Sequence, residues 1–331
     1  MNSEMVNQLK KENSTRFGKV LLIDHPWDGV DIENELCTEA GYELVESPPD
    51  ASPTELIELA SDVQGILTCW AQVTRELIEA SPSLAVVGRL GAGVDNIDLV
   101  AASERNVIVT RVPDYCVEEV SDHAVGLVFD WARGISFFDR SVRSGKWEPG
   151  TRRLRRVRDL AIGVWGAGRI GVRTAEKFAA LGCKVYLDDR NPHRAGAFSV
   201  LSPNELLGRC DVISLHMPLN EANRNIVNAK ALTLMRPDSL LVNTSRGGLV
   251  DIDALDRALR AGRPGAVALD VLPEEPFVPR ALVGRDDVLL TPHVAFSSDQ
   301  SIRELRQRAT EYLLAVLNGE PANDAIYPTA R

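Results

Sequence analysis

Cysteine is sparse in this chain, and its few positions show no pattern. Residues 37, 69, 116, 183 and 210 are scattered, odd in number and free of CxxC spacing. That excludes a disulfide frame and the paired spacing of a zinc site. The cysteines read as reduced thiols, as expected of a cytoplasmic protein, and no metal site is expected. Long apolar runs are missing too. None approaches the roughly 20 residues that span a bilayer. The opening stretch, MNSEMVNQLKKENSTR, lacks the apolar core of a secretory signal. Positive charge is also in deficit: 37 Lys and Arg face 47 Asp and Glu, a formal charge of −10. A nucleic-acid partner or an anionic membrane surface is therefore not expected. With 24 glycines and 18 prolines in 331 residues, no collagen-like or low-complexity reading survives.

What remains is an ordinary globular composition, 44% hydrophobic and 25% charged, long enough for about two domains. Residues 1–17 carry no periodicity and predict a flexible tail. Five short β-branched runs follow: KVLLID (19–24), YELVES (42–47), GILTCW (65–70), AVVGRL (85–90) and VIVTRV (107–112). Such runs suit strands covered on both faces, and segments of helical spacing, such as DIENELCTEAG and SPTELIELA, separate them. The expectation is one open parallel sheet. A long helix is predicted over roughly 117–144, then an Arg-rich turn. Six further runs predict a second parallel sheet: AIGVW (161–165), KVYLD (184–188), DVISLH (211–216), SLLVNTS (239–245), AVALDV (266–271) and VLLTPH (288–293). An amphipathic segment at about 299–318 is expected to cross back to the first sheet. The expected fold class is thus α/β, with two open parallel-sheet domains joined by two crossover helices. One domain is 18–117 with 299–331 and the other is 118–298, with a small-molecule cleft between them.

The sharpest local motif is Gly166-Ala167-Gly168-Arg169-Ile170-Gly171, placed between a predicted strand and a predicted helix. In that context GxGxxG binds a dinucleotide: glycines permit a tight turn and close approach of the pyrophosphate, and the helix N-terminus attracts the anion. Asp189 lies 23 residues after Gly166, placed to accept from a ribose diol and to repel a 2′-phosphate. NAD is therefore favoured over NADP, although the adjacent Arg190 could hold a 2′-phosphate.

Three further segments end predicted strands of the second sheet, where open α/β sheets bind ligands: NTSRGG (243–248), DVLPEEP (270–276) and TPH (291–293). An Arg, an acid and a His can converge there. Arg246 would fork onto a carboxylate and polarise the neighbouring carbonyl. His293 would donate a proton to the developing alkoxide, and a carboxylate would orient it. The bland alternatives stay open at this point: a packed histidine, a loop glutamate, a salt-bridging arginine.

Together with GAGVDNIDL (91–99) and VPDYCVEEVSDHA (112–124), these motifs resemble the D-isomer-specific 2-hydroxyacid dehydrogenase family over about residues 18–320, in its branch of 3-phosphoglycerate dehydrogenases and C-terminal-binding proteins. The resemblance implies a flavodoxin-like substrate domain and a Rossmann NAD-binding domain. It implies Arg246 as substrate binder, Glu275 as the partner of His293, and His293 as acid/base in contact with both substrate and cofactor. Glu275 is chosen over Glu274 because the family's acid directly precedes the proline. Asp270 would hold the nicotinamide carboxamide, with His216, Pro218 and Thr244 completing the cofactor contacts. Backbone amides of Ala92 and Gly93 would meet the substrate carboxylate. NAD(H) is the implied cofactor, a small anionic 2-oxo or 2-hydroxy acid the implied substrate, and a homodimer through the NAD-binding domain the implied assembly. The alternative is an NADH-responsive binding protein of the corepressor type, with little turnover.

Departures and extras bear on the pocket. Trp165 stands before the first glycine where a small aliphatic is usual, and Asn220 and Asn223 stand where the family often has Thr. Trp70 is weighed between loop packing and substrate contact. His25, His123 and His193 are given no chemistry. Arg152, Arg153, Arg155, Arg156 and Arg158 read either as a solvated linker or as arginines that reach an active site, by resemblance the neighbour's in a dimer, and there meet a second anionic group such as a phosphonate, phosphate or carboxylate, with Trp147 as a wall of that cleft; phosphonopyruvate- and hydroxypyruvate-like substrates are the candidates.

Overall fold

Parallel strands need helices on both faces, and the alternation of short apolar runs with amphipathic segments supplies them. The computed structural model describes residues 18–188 and 191–328. The expected tail at 1–17 and the residues Asp189 and Arg190 lie outside it. Two compact units result: one runs to Tyr115 and resumes at Ser298, and the other is Cys116–Ser297.

The first unit holds β1 (Gly18–Leu22), β2 (Tyr42–Glu46), β3 (Gly65–Thr68), β4 (Val86–Arg89) and β5 (Ile108–Thr110). They form one parallel sheet in the order β2-β1-β3-β4-β5, the flavodoxin-like order. Helices α1 (Asp31–Glu39), α2 (Pro53–Ala60), α3 (Arg75–Ala80) and α4 (Leu99–Glu104) make the crossovers. Helix α2 starts where the chain encodes it: Ser52 caps Glu55, Glu55 caps Ser52 in return, and Pro53 opens the first turn. The helix Asp299–Leu317 covers the sheet, with Leu313 packed over Gly65 and Gly88. Its Arg306 reaches the fully buried Glu33 of α1 at 2.7 Å.

The second unit holds β6 (Ala161–Trp165), β7 (Lys184–Asp188), β8 (Ser199–Val200), β9 (Val212–Leu215), β10 (Leu240–Asn243), β11 (Ala266–Leu269) and β12 (Val288–Leu290). The order is β12-β11-β10-β9-β6-β7-β8, all parallel, so strand order reverses between β6 and β9. That is the Rossmann switch point. The sequence predicts six strands here. The seventh, β8, is two exposed residues on the sheet edge, too short to show a hydrophobic pattern. Side chains alternate between two buried layers: Val212 faces one, and Ile213 and Leu215 face the other.

The helices are α5 (Val117–Arg133), α6 (Ile135–Arg143), α7 (Arg169–Ala180), α8 (Pro203–Arg209), α9 (Ala229–Leu234) and α10 (Ile252–Arg260). The single long helix expected over 117–144 is in fact two. Gly134 adopts a left-handed conformation (φ 64°), ends α5 and turns the chain into α6. Four cysteines are buried and Cys183 is half-buried, and all five are free thiols. Burial pushes the thiols of Cys37, Cys69 and Cys210 up to about 12. No helix among the described residues is long and apolar enough to cross a membrane.

Candidate active site

The glycine loop sits at the end of β6, beside the reversal in strand order. A Cβ on Gly171 would lie 1.9 Å from the carbonyl oxygen of Gly166, so the first turn of α7 can approach the strand only with glycine there. A Cβ on Gly168 would meet nothing within 4 Å. Gly168 caps α7 without a side-chain bond, which leaves the first amides of the helix for an external acceptor. Ile170 is half-buried and Arg169 exposed at that terminus.

Along the same sheet edge β10 ends at Asn243, whose side chain builds the next turn. Its Nδ2 donates to the Arg246 carbonyl at 2.9 Å, and its Oδ1 accepts the Ser245 amide at 3.1 Å. Thr244 is buried, and its hydroxyl has no partner among the described residues. Gly247 packs against the backbone of Leu272, so the turn bearing Arg246 rests on the segment leading to Glu275. The Leu272 amide donates to Glu275 Oε1 at 2.9 Å. Glu275 Oε2 lies 2.6 Å from Nδ1 of His293. Nε2 of His293 has no hydrogen-bond partner among the described residues. Burial pushes the Glu275 carboxyl up, but the His293 bond and charge, the Leu272 amide and the Arg246 charge outweigh it and hold the group below the usual range.

His293 has a left-handed backbone, φ 52°, unusual for a residue with a Cβ. The structure around Asp270 holds it there. The His293 amide donates to the Asp270 carbonyl at 2.7 Å. The Asp270 carboxylate, 2% exposed, accepts the Thr291 hydroxyl at 2.5 Å and the amides of Val294 and Ala295 at 3.0 Å each. His123 of α5 joins this group, its Nε2 3.0 Å from Thr291 Oγ1. The sequence gives His123 no chemistry. The only signal was its position in a helix whose partner strand could not be read from spacing.

His216 follows β9, with its Nε2 2.8 Å from Ser214 Oγ. Its burial lowers its pKa to about 4, so the ring is neutral near pH 7. Pro218 is exposed, and its carbonyl accepts Asn223 Nδ2 at 2.7 Å, so Asn223 shapes that turn from within. Trp165 is core, 5% exposed. These features fit a dinucleotide: uncapped amides at the start of α7, open space at Gly168, and the buried unpartnered Thr244 hydroxyl. Asp189, the residue predicted to read the ribose, lies outside the described residues.

Trp70, Ala92 and Gly93 belong to the first unit. Trp70 is 42% exposed after β3, where the Asp24 carboxylate gathers the amides of Cys69, Trp70 and Ala71 at 2.5–3.0 Å. Ala92 and Gly93 are half-buried after β4. The Arg-rich turn is engaged within its own unit. Arg152 donates to the Asp286 carbonyl at 3.2 Å, Arg153 pairs with Asp238, and Arg155 lies 4.2 Å over the Trp131 ring. Asp238 precedes β10 and Asp286 precedes β12, so these arginines strap the amino-terminal edge of the sheet. His293 and Arg246 follow the carboxyl ends of the same strands. Within one chain Arg152 and Arg153 therefore do not join the trio. Trp147 is 83% exposed, beyond α6.

Residues 125–295 match the family model for the D-isomer specific 2-hydroxyacid dehydrogenase NAD-binding domain. The chain is 31% identical over 308 residues to glyoxylate reductase of Thermofilum pendens, covering 89% of this chain and 90% of that protein. The chain belongs to the D-isomer specific 2-hydroxyacid dehydrogenase family. It is also 34% identical over 288 residues to D-3-phosphoglycerate dehydrogenase of Methanocaldococcus jannaschii, covering 85% of this chain but 55% of that one. The chain thus spans about half the length of that relative. Among solved structures of the fold is D-lactate dehydrogenase of Aquifex aeolicus complexed with NAD and lactic acid, at a TM-score of 0.82 and 27% identity, covering 91% of this chain and 96% of that one.

Proposed function

We propose that this family member is an NAD(H)-dependent oxidoreductase that interconverts a small 2-oxo acid and the D-2-hydroxy acid. The observation that carries the reading is the 2.6 Å pair between His293 Nδ1 and Glu275 Oε2, which leaves Nε2 to face a substrate oxygen. When bound, NAD(H) supplies or accepts the hydride. The chain's own residues do the rest. Arg246 holds the substrate carboxylate and polarises its carbonyl. His293 Nε2 gives the proton to the oxygen in reduction and takes it in oxidation. Glu275, kept ionised, supplies the counter-ion when the imidazole carries both protons. The amides of Ala92 and Gly93 serve the substrate carboxylate, the start of α7 the pyrophosphate, and Asp270 the carboxamide, alongside His216, Pro218 and Thr244.

NADH is the preferred form over NADPH, on the strength of Asp189. The assembly is a homodimer through the NAD-binding unit. Exposed Ile135, Val142, Trp147 and Leu154 support it, since apolar surface clustered near one helix favours a partner. The cytoplasm is the proposed compartment. Arg152 and Arg153 hold the far edge of their own sheet, so a second anionic group on the substrate would meet them only across the homodimer. The test is NADH oxidation across glyoxylate, pyruvate, hydroxypyruvate and phosphonopyruvate. Turnover with at least one supports the reading, and NADH binding without turnover on any 2-oxo acid refutes it.

A further inference from the structure

The proposed reaction does not use His123, yet the hydrogen-bond directions around it are fully determined. Thr291 has one hydroxyl proton, and it is committed to Asp270 Oδ1 at 2.5 Å. Thr291 Oγ1 can then only accept from the ring 3.0 Å away, so His123 Nε2 carries hydrogen in both charge states. The proton that comes and goes sits on Nδ1, which has no partner among the described residues. Water can deliver it, because the side chain is 23% exposed. Protonation therefore places a positive charge 3.6 Å from Asp270 Oδ1.

On the helix that carries His123, Glu118 pairs with Arg173 and Lys177 of α7, and Asp122 pairs with Lys177. Glu119 stands one turn back on α5. From the loop after β12 comes His293, held by Glu275. Among the described residues Asp270 is the carboxylate that the His123 ring meets. An imidazole is also the side chain that changes charge between pH 5 and 8.

We propose that His123 determines which oxidation state of the nicotinamide the site prefers: protonated it favours NADH, and neutral it admits NAD+. The inference rests on the cofactor reading above, with Asp270 beside the nicotinamide. The oxidised ring carries a positive charge and the reduced ring none. The Asp270 carboxylate favours the oxidised ring, and a proton on His123 offsets that carboxylate. Linkage makes the effect reciprocal, so NAD+ expels the His123 proton and NADH does not.

The test is the pair of dissociation constants for NAD+ and NADH, from tryptophan fluorescence between pH 5.5 and 8.5. It is run on the parent, on His123→Gln, whose amide can still donate to Thr291, and on His123→Asn as a second neutral substitution. The parent's ratio of NAD+ to NADH dissociation constants should rise about three- to tenfold as pH falls. That corresponds to about 0.7–1.4 kcal/mol, the weight of one charge acting through a dielectric between protein-surface and bulk-water values. Both variants should hold a flat ratio near the parent's high-pH value. A flat parent, or a slope that survives in the variants and so belongs to another group such as His293, overturns the proposal while the cofactor reading stands. If neither nucleotide binds, the cofactor reading falls and the inference falls with it.

Discussion

Replacing Glu275 by Gln keeps the shape of the acid and removes its charge, and the local geometry dictates the outcome. Oε2 faces His293 Nδ1 at 2.6 Å, and Oε1 accepts the Leu272 amide at 2.9 Å. An amide offers one acceptor for two donors. If its oxygen serves the imidazole, its NH2 confronts the Leu272 N–H; if its oxygen serves Leu272, its NH2 confronts Nδ1 and disfavours the doubly protonated ring. Either seating loses a charge-assisted bond worth about 1.5–3 kcal/mol, or about 10- to 150-fold in kcat/KM for 2-oxo acid reduction. Both side chains are about one-third exposed, so the melting temperature should move little. The sign of the pH dependence follows from the lowered Glu275 pKa. Its contribution is present above the ordinary value of 4.5 and is lost as pH falls through the lower folded value. The deficit of the variant should persist down to about pH 4.5 and shrink only below it. Steady-state kinetics from pH 4 to 9, with NADH affinity as control, measure this. A kcat/KM within twofold of the parent throughout would refute the pairing.

Gly168→Ala adds a methyl to open space, so the melting temperature should hold while NADH binding weakens at least about tenfold; Gly171→Ala meets the Gly166 carbonyl and should lose roughly 1–3 kcal/mol of stability as well. Calorimetry with nucleotide titration separates the two. Arg306→Ala strands the fully buried Glu33 without its counter-ion and should cost about 3–5 kcal/mol, read by urea unfolding; a cost below 1 kcal/mol would contradict the burial argument. Arg153→Gln removes an exposed pair with Asp238 worth about 0–1 kcal/mol, and should change KM for singly and doubly anionic 2-oxo acids by the same small factor.

The strands were legible because burial on both faces leaves near-continuous apolar runs, as in AIGVW and SLLVN, and right-handed crossovers then limit their order. Ser199–Val200 was not, since two exposed edge residues carry no pattern. The break at Gly134 was hidden because a glycine inside a helical period looks like any tolerated one until its φ is known. At the site, the residue types and spacing of Arg246, Glu275 and His293 could be read. The carboxylate of Asp270 as organiser of the His293 loop could not. Its partners Thr291, Val294, Ala295 and His123 meet it only through the ordering of β11, β12 and α5. The place of Arg152 and Arg153 was hidden for the same reason: composition gives their charge, while only topology gives the end of the sheet they hold.

The most direct test of the central claim is single-turnover reduction of a 2-oxo acid by NADH in His293→Ala, with nucleotide affinity measured on the same sample. The expected rate is at least on the order of 100-fold below the parent's, with NADH still bound. A rate near the parent's, with NADH bound, would contradict the assignment of His293 as the acid/base and the reading built on its pairing with Glu275.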